Sequence, residues 1–155
     1  MLTYTRRNTK KVAESFVIAF LLLLVVHIFF ELSYVSGESM APTFENGDIL
    51  LVKKWAAPKN GDIVTAYIEE SDYVVVKRVI GMEGDRILIT LHAMYRNGEL
   101  LQEFTDGKED DNKVYEMIVP DGYVFLMGDN WEHSLDSRSF GCIPTEAVRG
   151  VVLKR

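Results

Sequence analysis

No charged side chain stands between Ser15 and Phe30, and the acids that bound the stretch are Glu14 and Glu31. A run this apolar either is buried in a core or crosses a bilayer, and in hydrocarbon it must be helical so that its backbone satisfies its own hydrogen bonds. The sixteen residues at about 1.5 Å each reach roughly 24 Å, short of a ~30 Å hydrocarbon core. A helix from Val12 to Leu32 reaches about 31 Å and leaves the two acids at the interfaces. The expected division is therefore a basic tail over residues 1–11, one transmembrane helix over 12–32, and a single domain over 33–155. Glu31-Leu32-Ser33-Tyr34-Val35 carries no small-x-small pattern, so an uncleaved anchor is expected in preference to a removed leader. His27, inside the span, is expected to pack or face another helix without a functional role.

Charge sets the direction. Arg6, Arg7, Lys10 and Lys11 precede the span, whereas the chain from Glu31 onward holds 13 basic and 22 acidic residues. The positive-inside rule puts the N-terminus in the cytoplasm and the rest outside a single-pass cell membrane protein. An acidic outer domain also repels nucleic acid at long range, so no nucleic-acid partner is expected; the bilayer itself is.

Beyond Tyr34, turn signals recur: Asn46-Gly47-Asp48, Asn60-Gly61-Asp62, Gly84-Asp85, Asn97-Gly98, Asp121-Gly122 and Gly128-Asp129-Asn130. Between them lie short runs rich in β-branched and aromatic residues, at 49–52, 63–68, 73–80, 86–91 and 123–127. The expected fold is mainly β, a compact, coiled, antiparallel barrel-like domain with little helix. Cys142 is the single cysteine, too few for an intramolecular disulfide or a zinc site, and is expected to be a small buried residue. The acids of 103–111 (Glu103, Asp106, Glu109, Asp110 and Asp111) suit an exposed loop and miss the spacing of a calcium loop. No cofactor and no metal are expected.

Ser39 stands in Ser39-Met40-Ala41-Pro42-Thr43, shortly after the apolar run, and Lys77 interrupts Val74-Val75-Val76-Lys77-Arg78-Val79-Ile80. A serine hydroxyl becomes a useful nucleophile only when a base takes its proton, and lysine is a base only when neutral. On a strand, Tyr73, Val75, Lys77 and Val79 share one face, so Lys77 has apolar neighbours. Burial there lowers its pKa, which is what a general base requires. The bland alternative is a snorkelling lysine at a strand edge and a serine in a turn.

Three ordered blocks carry a resemblance. They are Ser39–Thr43 after a membrane span, the block 76–85 (Val-Lys-Arg-Val-Ile-Gly-Met-Glu-Gly-Asp), and 128–141 (Gly-Asp-Asn-Trp-Glu-His-Ser-Leu-Asp-Ser-Arg-Ser-Phe-Gly). Together they resemble bacterial type I signal peptidases over most of the outer domain. The resemblance implies Ser39 as nucleophile, Lys77 as general base and Ser134 as the hydroxyl that orients the lysine, with Asp129, Asp136 and Arg138 as structural support. It implies secretory preproteins as substrates, cut after small residues at −3 and −1 on the outer face of the membrane. An extended peptide adding as a strand beside the residues before Ser39 and beside the Lys77 strand fits that activity, with Val35, Met40 and Val76 as pocket candidates. The Ser39 N–H serves as one oxyanion donor.

Some positions depart from the family pattern. Gly37 occupies the place where Gram-negative members carry a second, hydroxyl oxyanion donor, which leaves Ser36, a backbone amide or water for that role. Glu83 replaces a usual proline, and the short stretch between Asp85 and Gly128 gives a minimal form similar to small Gram-positive members. Self-cleaving repressors share the Ser/Lys pair but lack an anchor, and peptidases with histidine in place of the lysine differ in the block around Lys77. A Ser-His-Asp triad through His92 or His133 has no motif behind it. The remaining alternative is a catalytically silent assembly or chaperone factor for surface structures, which would be expected to have lost Ser39 or Lys77.

Overall fold

The computed structural model describes residues 2–104 and 114–153, with the backbone alone for 2–9 and Glu70. Asp106, Glu109, Asp110 and Asp111 of the acidic loop lie outside the described residues.

Helix α1 (Leu2–Phe29) contains the apolar run. Its stretch Lys10–Phe29, 20 residues long, is apolar enough to cross a membrane, and none of it is buried against the rest of the chain. The helix ends three residues before the expected Leu32. Phe30–Tyr34 instead forms strand β1, which pairs antiparallel with β2 (Ile49–Lys54) at every position from Phe30–Lys53 to Tyr34–Ile49. Five ladder positions outweigh another helical turn that would carry Glu31 onward. The helix C-terminus is tied to the sheet, since Lys54 Nζ donates to the His27 carbonyl at 3.1 Å, satisfying one of the acceptors a helix end leaves open.

Mainly antiparallel β structure follows, as expected. β3 (Ile63–Ile68), β4 (Tyr73–Met82), β9 (Tyr123–Met127), β10 (Ile143–Pro144) and β11 (Val148–Val152) complete a seven-stranded sheet in the order β1-β2-β11-β3-β4-β9-β10. A second sheet of four strands runs β7 (Glu99–Glu103), β6 (Ala93–Arg96), β5 (Arg86–Ile89) and β8 (Tyr115–Ile118). Three glycine turns launch strands in the same way. The Glu45, Lys59 and Met82 N–H groups donate to the carboxylates of Asp48, Asp62 and Asp85, and each aspartate N–H returns a bond to the carbonyl three residues back. Gly47, Gly61 and Gly84 sit at φ +94°, +86° and +80° in these turns, where a side chain would be strained.

The core has three parts. Val64, Ala66, Val79, Val124 and Leu126 pack within the large sheet, and Ile87, Met94, Phe104, Phe125 and Met127 join the small sheet to it. Val35, Met40, Leu50, Val52, Ile63 and Val152 form the third, under the segment that carries Ser39. Outside the core, Leu32 and Leu51, and Tyr34 and Ile49, face each other across β1 and β2 and remain exposed, as does Trp55 beyond them.

Candidate active site

β4 is rich in β-branched residues and is paired along its first six residues with β3, where Val64 lies opposite Lys77. Val75, Lys77 and Val79 point into the molecule, and Lys77 is only 4% exposed. Burial drives its pKa below the ordinary lysine value; Asp136 and Asp129 pull it back up and Arg138 pushes it further down. Lys77 Nζ lies 2.6 Å from Ser39 Oγ. In the ammonium form nitrogen donates, while in the neutral form the serine O–H can donate to the nitrogen lone pair.

Ser39 begins a turn whose next residue, Met40, is buried in the core. The turn is held from the 128–138 segment. Asn130 N–H donates to the Ser39 carbonyl at 3.0 Å, and Asn130 Nδ2 to the Glu38 carbonyl at 3.0 Å. Thr43 Oγ1 donates to Asp129 Oδ2 at 2.5 Å, and Asp129 also takes a two-pronged ion pair from Arg78, with Nε at 2.7 Å and Nη2 at 2.6 Å. Arg78 follows Lys77 on β4, so Asp129 joins the serine turn to the lysine strand. Sequence reasoning gave Asp129 a supporting role and missed Thr43, Arg78 and Asn130. The signal was present in Arg78, which alternates to the face opposite Lys77 and needs a carboxylate there.

Asp136 is fully buried. It accepts bonds from Gly128 N–H and from the Arg138 backbone N–H, Nε and Nη2, while Arg138 Nη2 also reaches the Trp131 and Ser134 carbonyls. This arginine closes the loop that carries Ser134. The expected hydrogen bond from Ser134 to Lys77 is not formed. Ser134 Oγ is buried without a hydrogen-bond partner among the described residues; it lies against Gly128, and the lysine nitrogen is engaged by Ser39. Gly128 has no room for a side chain, because a Cβ there would meet Ser134 Oγ and the Ser39 carbonyl oxygen inside van der Waals distance.

A cleft of about 540 Å³ opens over the pair, walled by Ser33–Ser36 on one side and Tyr73–Lys77 on the other. Val35, Met40 and Val76 all line it, together with the exposed Leu135. Val35 and Met40 also belong to the third core cluster, against which Val76 packs, so the floor of the cleft is the core itself. Among the described residues both walls have free strand edges. β1 pairs only with β2, and β9 pairs with β4 only from Arg78 onward, which leaves the far side of Tyr73–Lys77 open. Ser36 lines the cleft, while Gly37 N–H is taken by Asn46 Oδ1 at 2.9 Å.

Glu83 accepts from the Gly122 N–H at 2.9 Å and so ties two turns together. Cys142 is half-buried rather than fully so, near Met117 Sδ, and burial pushes its thiol up to about 11. His133 Nδ1 lies 3.3 Å from Asn130 Oδ1. Among the described residues no group of three or more His, Cys, Asp or Glu is placed to hold a metal ion.

Residues 9–154 match the family described as signal peptidase, peptidase S26. The chain is 34% identical to a probable signal peptidase I-1 of Synechocystis sp. over 89% of its length and 77% of that protein. It is 34% identical to signal peptidase I T of Bacillus subtilis, over 96% and 89% of the two chains. With a mitochondrial inner membrane protease subunit 1 of Xenopus tropicalis it shares 35% identity over 81% and 68%. Its fold is similar to the crystal structure of a signal peptidase I from Enterococcus faecalis, with a TM-score of 0.55 and 27% identity over 63% of this chain and 98% of that one. With the match running through every strand that frames the Ser39–Lys77 cleft, the chain belongs to the signal peptidase family, peptidase S26.

Proposed function

We propose that this protein is a membrane-anchored endopeptidase that removes signal peptides from exported preproteins, with Ser39 as nucleophile and Lys77 as general base. The observation that carries the reading is the 2.6 Å contact between Lys77 Nζ and Ser39 Oγ at the floor of an open cleft, with the lysine pKa lowered by burial.

The substrate lies extended in the cleft and adds main-chain hydrogen bonds to the free edges of β1 and of Tyr73–Lys77, as peptides do at exposed sheet edges. Val35, Met40 and Val76 bound shallow pockets that accept small residues at −3 and −1. Neutral Lys77 takes the Ser39 proton as Oγ attacks the scissile carbonyl, and the Ser39 N–H holds the oxyanion that forms. Collapse of the tetrahedral intermediate breaks the C–N bond. The proton held by Lys77 passes to the leaving amine, and an acyl-Ser39 ester remains. Water, deprotonated in turn by Lys77, attacks the ester and restores the hydroxyl. Ser134, buried and without a hydrogen-bond partner among the described residues, supplies a hydroxyl for the lysine once the Ser39 bond is given up, and Asp129, Asp136 and Arg138 hold the loops in place. Ser36 is the available side-chain hydroxyl for a second oxyanion donor, since it lines the cleft.

Anchoring rests on the 20-residue apolar stretch of α1 and the adjoining exposed ladder. The basic residues before the span support a cytoplasmic N-terminus, with the cleft on the outer face. The test is cleavage of a secretory preprotein by detergent-solubilised full-length protein, with Ser39→Ala alongside and the new N-terminus read by mass spectrometry. Cleavage after a small-x-small site that disappears in the variant supports the proposal. Intact preproteins across several substrates overturn it in favour of an assembly factor.

A further inference from the structure

Asn130 touches neither Lys77 nor the Ser39 hydroxyl, yet its two bonds fall on the two carbonyls that flank the Ser39 α-carbon. Its backbone N–H holds the Ser39 carbonyl and its side-chain amide holds the Glu38 carbonyl, each at 3.0 Å. The Glu38 carbonyl and the Ser39 N–H belong to one planar peptide unit, and in a trans peptide they point in opposite directions. Fixing the carbonyl toward Asn130 therefore aims the Ser39 N–H away from it. Among the described residues that N–H meets no acceptor.

The amide of Asn130 is itself oriented. A carbonyl can only accept, so the group facing Glu38 must be the NH₂. The Oδ1 end then lies 3.3 Å from His133 Nδ1, which donates to it in the tautomer carrying hydrogen there. A second bond, from the His133 N–H to the Asn130 carbonyl at 3.1 Å, keeps the two residues in register.

We propose that Asn130 is a positioning residue for the oxyanion site: its side-chain amide locks the Glu38–Ser39 peptide plane and so aims the Ser39 N–H at the developing oxyanion. The inference rests on the Ser39-nucleophile reading. It differs from general support of the loop because Asp129, Asp136 and the Asn130 backbone hold that loop independently of the Asn130 side chain. An oxyanion donor works in the transition state more than in substrate binding, so the expected signature is confined to kcat.

The experiment compares Asn130→Ala and Asn130→Asp with the wild type in the detergent-solubilised full chain, using a preprotein substrate. The aspartate keeps the shape of the side chain and sets an acceptor against the Glu38 carbonyl. The expected result is a kcat lowered by about 10- to 100-fold in both variants, given that complete loss of one donor costs about 10²–10³ elsewhere. KM stays within about threefold, and the alkaline limb of the pH profile stays where Lys77 sets it. A variant with near-wild-type kcat overturns the proposal, as does a loss carried mainly by KM or accompanied by a displaced pH limb. Thermal unfolding separates the remaining case. If Asn130→Ala unfolds early, Asn130→Asp decides, and a fall in kcat that only tracks a fall in Tm for both variants makes Asn130 structural and overturns the proposal. A wild type that leaves preproteins uncut defeats the peptidase reading itself, a result distinct from any difference among variants.

Discussion

At the scale of single residues, Lys77 is buried at a cost to the stability of the fold. Lys77 has a pKa below the ordinary lysine value because of its burial. Between the depressed and the ordinary value, the unfolded chain binds more protons than the folded one, so stability climbs with pH through that window. Below the depressed value the penalty is present in full, and above the ordinary value it vanishes. Lys77→Met, which fills the same space without a charge, is expected to unfold at a higher temperature than the wild type at pH 7. The gap should narrow as pH approaches the ordinary lysine range; calorimetry of both proteins across pH checks it, and a constant gap would contradict the assignment. The same variant should lose at least about 10³-fold in kcat/KM. For the wild type, kcat/KM should rise with pH through the depressed pKa and reach an alkaline plateau. A flat profile from weakly acidic to strongly alkaline pH would remove Lys77 from the role of base.

At the scale of elements, the site is a junction between two short segments, the turn 39–44 and the loop 128–138, pinned to β4. Gly128 is one place where they meet, and a Cβ there would run into the Ser39 carbonyl oxygen and lie 2.6 Å from Ser134 Cβ. Gly128→Ala should therefore cost about 1–3 kcal/mol in denaturant unfolding, the usual range for overpacking. Asp136→Ala should cost more, about 3–5 kcal/mol, since it strips Arg138 and the Gly128 N–H of a fully buried partner. The ranking of the two in one unfolding series is the check. Much of this scale was legible beforehand: β3 and β9 occupy the runs expected at 63–68 and 123–127, β2 and β5 begin where turn signals end, and β4 begins at the expected Tyr73. β1 was not, because Phe30–Tyr34 follows the apolar run with no Gly or Pro breaker between them, and its pairing with β2, 15 to 23 residues distant in sequence, makes it a strand. β11 was equally hidden. Gly150 interrupts it, and it is needed there because Lys53 passes too close for a side chain. Ser39 and Lys77 were picked out by the three motif blocks, since residue type alone leaves a snorkelling lysine and a turn serine open. The Thr43–Asp129–Arg78 bridge was half legible: Arg78 alternates to the face opposite Lys77 on β4, but Thr43 and Asp129 suit any turn, and nothing local marks them as its long-range partners.

At the scale of the whole molecule, β1 is the element that relates the cleft to the proposed anchor. It begins at the residue after α1 and ends five residues before Ser39, so the site cannot move far from the helix end. None of the Lys10–Phe29 stretch is buried in the domain, whereas β1 pairs over its full length and walls the cleft. Helix and strand should therefore separate cleanly in truncation. A chain starting at Phe30 is expected to keep its Tm within a few degrees and to cut a short signal-peptide substrate in detergent at near full-length kcat, because no core contact leaves with the helix. A chain starting at Ser36 removes one wall of the cleft and uncovers the edge of β2, and should lose most activity on the same peptide. Equal activity of the two chains would mean that substrate does not bind along β1. The Phe30 chain carries the exposed ladder of Leu32, Tyr34, Ile49, Leu51 and Trp55, an apolar area of the kind that marks an interaction surface. In vesicle flotation it should stay partly lipid-bound, and a combined Leu32→Ser and Trp55→Ser change should release it while leaving hydrolysis of the short peptide intact. Release without loss of catalysis would assign the ladder to holding the cleft against the bilayer; failure of the unmodified Phe30 chain to float would leave α1 as the sole attachment.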